Sequence, residues 1–257
     1  MRTVAPSIPS IGSSFIGANL TSANLSKVTP NGVLMNKTTK LPQDWQYRKG
    51  LLLGPSVNLK NTEINNADLS HLSLDYANFD NTLLSNVDFS SSGLFYASFY
   101  GTSSDNITGS PDDFQAAQAV LYRGKIVTSG VNLESVDLRG IDLQNITLSG
   151  VNFRSANLVG ANFYGSTISK TNFDSANMRG VDLGNANLSD SVLKNNASGG
   201  VLATSGTGLP SNWQVTRGYL IGPGANLTNA DLSDADLSGA NLSSTDNLTT
   251  NLTNINL

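Results

Sequence analysis

The 257-residue chain has no cysteine and one histidine, and only 13% of its residues are charged. Without cysteine there are no disulfides, no thiolate metal ligands and no cysteine nucleophiles, while the redox compartment stays open. His71 has neither a second histidine nor a fixed carboxylate partner in the pattern around it, so it reads as a solvated corner rather than a ligand or a base. Charge stands at about half its usual share, and Asn, Ser, Thr and Gly fill the deficit. Fifteen basic against nineteen acidic residues leave a net charge of −4 and no basic stripe for nucleic acid. No apolar run approaches the roughly 18 residues that a membrane span needs. The opening MRTVAPSIPSIGSS carries one charge and two prolines but no apolar core, so it is not a secretion signal; residues 1–14 read as an extended arm. The compartment is left unknown by these absences, with the cytoplasm or an assembled particle as the expectation. Phosphate-binding glycine loops, H-E-x-x-H and G-x-S-x-G are also missing, so neither an enzyme nor a resident cofactor is expected.

What is present is a period of five. From Leu133 to Leu193 a large apolar residue recurs at every fifth position, thirteen times: Leu133, Leu138, Leu143, Leu148, Phe153, Leu158, Phe163, Ile168, Phe173, Met178, Leu183, Leu188 and Leu193. Two residues before each stands a smaller one, such as Val131, Ala156 or Ser166. Five fits neither the 3.6 of a helix nor the 2 of an ordinary strand. It belongs to a solenoid, whose units bury their apolar residues only by stacking on their neighbours. The same register holds in runs 15–25, 57–101, 131–193 and 225–257, the last with a lapse at Asn247.

The breaks between runs are equal: 34 residues separate Leu25 from Leu59, Phe99 from Leu133 and Leu193 from Leu227. Segments 41–59 (LPQDWQYRKGLLLGPSVNL) and 209–227 (LPSNWQVTRGYLIGPGANL) match closely, and 120–133 falls into the same frame. Three copies of one insertion module follow, at 26–56, 102–130 and 194–224. An apolar segment, a basic residue with glycine and a second apolar segment predict a β-hairpin in each, with a turn at Lys49-Gly50 in the first. Ser110-Pro111-Asp112-Asp113 ahead of FQAAQAVLY predicts one short helix around 111–122 in the middle module.

The units ANLTSANLS, ANLVGANFYG and ANLTNADLSDADLSGANLS resemble the pentapeptide-repeat family, written A(D/N)LXX, over about two-thirds of the chain. The resemblance implies an all-β fold, a right-handed quadrilateral β-helix with four pentapeptides per coil, the large residue and the small one before it facing inward. Residues 20 apart then stack, so Phe79 lies over Phe99 and Phe153 over Phe173. The thirty-two register slots give about eight coils. At the usual strand spacing these make a column on the order of 40 Å tall, with the modules looped out of it. The Asn and Asp beside each large residue are expected to bond the turn backbone rather than to hold cations.

Function is expected to lie in contacts. Trp45, Tyr47, Arg48, Lys49, Trp213, Arg217 and Tyr219 gather both tryptophans and several cations onto the modules, the residue types enriched at interface hot spots. The alternative reading is that these aromatics only fix each hairpin. Asn256 and Leu257 end the chain inside the repeat, which predicts an exposed strand edge and self-association there. The chain therefore reads as an interaction scaffold that oligomerises or joins a fibre, virion appendage or other assembly through its coil ends and modules. A second reading comes from the resemblance: some members mimic a DNA duplex and bind type II topoisomerases, protecting them from quinolones. Against it, Arg139, Arg154, Lys170, Arg179 and Lys194 interrupt the acidic track of the longest run.

Overall fold

The period of five is realised as a corner every five residues and a rung every twenty. A computed structural model describes residues 14–30, 33–109, 114 and 119–243. They fall into two units, residues 1–128 and 129–257. In the first unit parallel bridges join Asn58, Asn78 and Ser98, and Asp68, Asp88 and Thr108. In the second they join Asn132, Asn152, Asn172 and Val192, with parallel series through Asp137 and Asp142.

Two kinds of corner occur. In one, the amide three residues after the large apolar residue donates to its carbonyl, as Ala77 does to Leu74 (3.0 Å) and Ala156 to Phe153 (2.9 Å). The third residue of such a turn has positive φ, 59° at Tyr76 and 54° at Ser155. Only Gly, and to a lesser extent Asn, adopts that backbone cheaply, which explains why both recur two residues after the register position. In the other kind a three-residue strand runs into the corner. These strands stack in parallel as β3 (Glu63–Asn65), β4 (Leu83–Ser85) and β5 (Ser103–Asp105) in the first unit. In the second unit β8 (Thr147–Ser149) and β9 (Thr167–Ser169) do the same.

The large residues fill the centre of each coil. Phe79 and Phe99 stack at 4.8 Å and 3°, and Phe153 and Phe173 at 5.3 Å and 21°. Phe89 meets the first pair edge-on at 5.6 and 6.0 Å, while Phe163 meets the second at 6.2 and 6.0 Å. Each such buried side chain contributes about 1.5–3 kcal/mol over exposure. A hydroxyl is tolerated in the small inward slot because a carbonyl of the preceding coil accepts it. Thr82 donates to Leu59 O at 2.9 Å, Ser92 to Leu69 O at 2.6 Å and Thr102 to Phe79 O at 2.8 Å. Outside, the carboxylate of Asp68 accepts the Ser70 amide (2.9 Å) and the side-chain oxygen of Asn162 accepts that of Tyr164 (2.9 Å). Asparagines also ladder from coil to coil, Asn106 to Asn86 (2.6 Å) and Asn86 to Asn66 (3.1 Å).

The three modules each carry an antiparallel hairpin. β1 (Gln46–Arg48) pairs with β2 (Leu51–Leu53), β6 (Val120–Tyr122) with β7 (Lys125–Val127), and β10 (Gln214–Thr216) with β11 (Tyr219–Ile221). The turns are Lys49-Gly50, Arg123-Gly124 and Arg217-Gly218, all with positive φ at both positions, the two-residue geometry that matches strand twist. The second and third tips dock closely: Gly124 O accepts the Ile107 amide (3.0 Å), Gly218 O the Val201 amide (2.9 Å). A Cβ on Gly218 would lie 2.9 Å from the Gly200 nitrogen. Parts of the modules also form rungs, through bridges Ser14 to Leu34, Asn19 to Lys40, Asp182 to Leu202 and Asn187 to Gly208.

Among the described residues every named regular element is a strand. The helix expected around 111–122 is corrected at its C-terminal end, where Val120–Tyr122 is β6. A β-branched and an aromatic residue there find a partner strand across the Arg123-Gly124 turn, and pairing overrides helical continuation. Residues 110–113 and 115–118 lie outside the described residues, as do the arm at 1–13 and the chain end with Asn256 and Leu257. Phe114, fully buried, packs edge-on against Phe89 at 5.6 Å.

Candidate functional site

Tryptophan sets the base of the first and third hairpins. A Cβ on Gly54 would lie 2.4 Å from the Trp45 ring, and one on Gly222 2.3 Å from Trp213. Each indole therefore lies flat on the glycine of the Gly-Pro pair, a contact that any side chain would block. Around that shared base the hairpin residues diverge. In the first, the Tyr47 hydroxyl donates to the Val33 carbonyl (2.9 Å). Arg48 donates to the Asp68 and Ser70 carbonyls (3.0 and 3.1 Å) and pairs with the Asp68 carboxylate (3.4 Å), and the Lys49 ammonium donates to Asn66 O (2.5 Å). In the third, Tyr219 lies against Gly199, and its hydroxyl accepts the Asp231 amide (3.4 Å). Arg217 has no ion pair or hydrogen bond among the described residues.

Most of the sequence-derived candidates thus spend their polar atoms within the chain. Tyr47, Arg48, Lys49 and Tyr219 tie hairpins to coils, and Trp45 holds the first hairpin. Trp213 and Arg217 instead line an open cleft of about 640 Å³, walled also by Val201, Ala203, Thr204, Thr207, Leu209, Gln214 and Val215.

A second surface escaped the sequence reading. Tyr76, Phe95, Tyr96 and Tyr100 are 57%, 50%, 63% and 52% exposed. The rings of Tyr76 and Tyr96 lie 5.5 Å apart, Phe95 and Tyr96 4.2 Å, and Tyr76 and Phe95 6.2 Å at 90°. Tyr76 and Tyr96 occupy the left-handed corner position, with φ of 59° and 55°. A bulky L-residue there costs roughly 1–2 kcal/mol where Asn or Gly would cost less. The Asp75 carboxylate accepts the Phe95 amide (2.9 Å) and fixes this corner. The signal was available: residues 76 and 96 are twenty apart, the spacing that stacks the inward phenylalanines.

Three carboxylates of the second unit have cations beside them. Arg154 lies 3.9 Å from Glu134 and 3.7 Å from Asp174, Lys194 lies 4.0 Å from Asp174, and Arg139 pairs with Asp137 at 2.8 Å. On the first unit the Asp88 carboxyl sits below its ordinary pKa because Ser90 donates to it from side chain and backbone, with Thr108 adding a third bond. His71 is exposed at a left-handed corner, φ 56°. Among the described residues no three His, Asp or Glu side chains gather as a metal-holding group, and no helix is long and apolar enough to cross a membrane.

The family model for pentapeptide repeats matches the chain in eight copies, over residues 56–90, 129–163, 156–195 and 223–257. Solved structures similar to it include the following three. HetL, a pentapeptide repeat protein involved in heterocyst differentiation regulation from the cyanobacterium Nostoc sp. strain PCC 7120, is 23% identical, with 78% of this chain and 86% of that chain covered and a TM-score of 0.26. A trypsin-treated form of QnrB1, a plasmid-mediated fluoroquinolone resistance protein, is 19% identical over 58% and 90%, with a TM-score of 0.31. Rfr23 from the cyanobacterium Cyanothece 51142 is 16% identical over 59% and 87%, with a TM-score of 0.24. No curated protein sequence matches the chain.

Proposed function

The chain belongs to the pentapeptide-repeat family, and from that premise we propose that it is a non-enzymatic interaction scaffold that contacts protein through the outward aromatic patch of its first unit. Rungs at intervals of twenty with a corner every five residues support reading the repeat as a right-handed quadrilateral β-helix of about eight coils, a rigid frame for such surfaces. The observation that carries the function is the placement of Tyr76 and Tyr96 on left-handed corners, where the fold prefers Asn or Gly. A costly residue that leaves half its ring in water contributes little to folding. Large exposed apolar clusters on otherwise polar proteins mark contact surfaces, and tyrosine is enriched at their centres. Assembly into a larger particle fits the same surface.

The test is photo-crosslinking in the cells that make the protein, with benzoylphenylalanine at position 96 and, as control, at the exposed corner position 145. A discrete adduct, to a second copy or to another protein, is expected from 96 and not from 145. Equal, diffuse labelling from both positions overturns the reading. Duplex mimicry fares worse, because Arg139, Arg154 and Lys194 neutralise the carboxylates beside them. A gyrase supercoiling assay is expected to show no inhibition.

A further inference from the structure

We propose that the cleft beside the third hairpin binds a small phenolic acid, a ring bearing a hydroxyl at one end and a carboxylate at the other. The first hairpin supplies the template. Aligning 33–59 with 201–227 sets Tyr47 opposite Val215 and Met35 opposite Ala203. In the first module Met35 is buried and the Tyr47 phenol reaches the Val33 carbonyl at 2.9 Å. In the third, both large side chains are missing. Ala203 is exposed, and the open cleft that it and Val215 line measures about 640 Å³, within the roughly 300–1,000 Å³ of small-molecule sites.

The lining defines the ligand. The Val201 carbonyl, equivalent to that of Val33, accepts no hydrogen bond among the described residues, so a phenol arriving from solution finds the acceptor that Tyr47 uses internally. The Trp213 indole, held flat on Gly222, offers a face for an aromatic ring. Arg217 is the one charged residue lining the cleft and has no partner among the described residues, so its guanidinium is available for a carboxylate. The two threonines shape the wall instead. The Thr204 hydroxyl donates to Asn185 Oδ1 (2.8 Å) and that of Thr207 to the Leu183 carbonyl (2.8 Å). This site lies in the second unit and stands independently of the aromatic patch in the first.

The chain has two tryptophans, so Trp45→Phe leaves Trp213 as the sole reporter. In that background 4-hydroxyphenylacetate is expected to change Trp213 emission saturably. Phenylacetate, lacking the hydroxyl, should bind about 2–10-fold more weakly, the range of one net hydrogen bond. Tyramine, with an ammonium in place of the carboxylate, should also bind more weakly. Adding Ala203→Met and Val215→Tyr places the first module's own residues in the cleft and a phenol on the Val201 carbonyl, as Tyr47 sits on that of Val33. That variant should lose the response while melting no lower than its parent. The absence of a saturable response overturns the proposal, as does equal binding of all three probes or a response that survives in the substituted variant. Binding of a tyrosine peptide without binding of 4-hydroxyphenylacetate also overturns it, in favour of a protein ligand.

Discussion

The first and third hairpins are built on one frame and finished differently. Both lay a tryptophan on the glycine of a Gly-Pro pair, turn through a basic residue and glycine, and bury the middle and last residues of the return strand, Leu52-Leu53 and Leu220-Ile221. The first is then closed from within by Tyr47 and Met35, and tied to the coil by Arg48 and Lys49. The third replaces Tyr47, Met35 and Arg48 with Val215, Ala203 and Thr216, and is left open. The coils leading into them differ in the same sense: Val28 fills the small inward slot in the first module and Asn196 fills it in the third. Asn196 donates to the Phe173 carbonyl, but its Oδ1 is buried without a partner among the described residues. Backbone glycines and indoles therefore specify the hairpin, and a few side chains decide whether it is sealed.

Substitutions that exchange the two finishes test this division. Converting the first hairpin to the third with Met35→Ala and Tyr47→Val removes two packed side chains, and should cost about 4 kcal/mol in a urea melt. An effect below about 1 kcal/mol would mean that the closure is not structural. Gly54→Ala and Gly222→Ala strike the shared base, where the added methyl meets the indole, and each should cost about 2 kcal/mol. If only one of the pair is sensitive, the frames are not equivalent. Asn196→Thr keeps a donor to the Phe173 carbonyl, as Thr82 and Thr102 do in their slots, and removes the unpaired oxygen. It should raise stability by about 1 kcal/mol.

The smallest effect is that of pH. Ser70 hydrogen bonds, and Arg48 to a lesser degree, hold the Asp68 carboxyl below its ordinary pKa. Lys125 does the same for Asp105 beside the middle hairpin. Because the folded values lie below the unfolded one, this stabilisation is present above the ordinary carboxylate range and is lost as pH falls through the folded values. Amide exchange, corrected for intrinsic rates, should loosen slightly in the first and middle hairpins between pH 6 and pH 3. The third hairpin, whose Arg217 has no partner among the described residues, should change less.

Much of this frame could be read before any coordinates. Strict recurrence of a large residue every fifth position fixes which side chains face inward, and the stacking of Phe79 on Phe99 follows from that count. The hairpin turns were equally readable, since a basic residue followed by glycine between apolar triplets has few other uses. The fate of Val120–Tyr122 was not, because a proline-led capping signal upstream and a strand partner downstream compete for the same residues and only tertiary pairing decides. The sites were harder still. Candidate contacts chosen by residue type proved largely committed to the chain's own carbonyls, which composition cannot show. The cleft emerges only by asking what Val215 and Ala203 fail to fill, and the aromatic patch only by applying the spacing of twenty to outward positions.

The separation of frame from surface is tested most directly by one variant, Tyr76→Asn/Phe95→Ser/Tyr96→Asn, followed by thermal melting and by crosslinking from benzoylphenylalanine at position 100, the exposed tyrosine one repeat unit after Phe95. Asparagine suits both left-handed corners, so the variant should melt at or above the wild-type temperature while the crosslinked adduct disappears. A variant that melts well below wild type, or that keeps the adduct, would show that these aromatics serve the fold and not a partner.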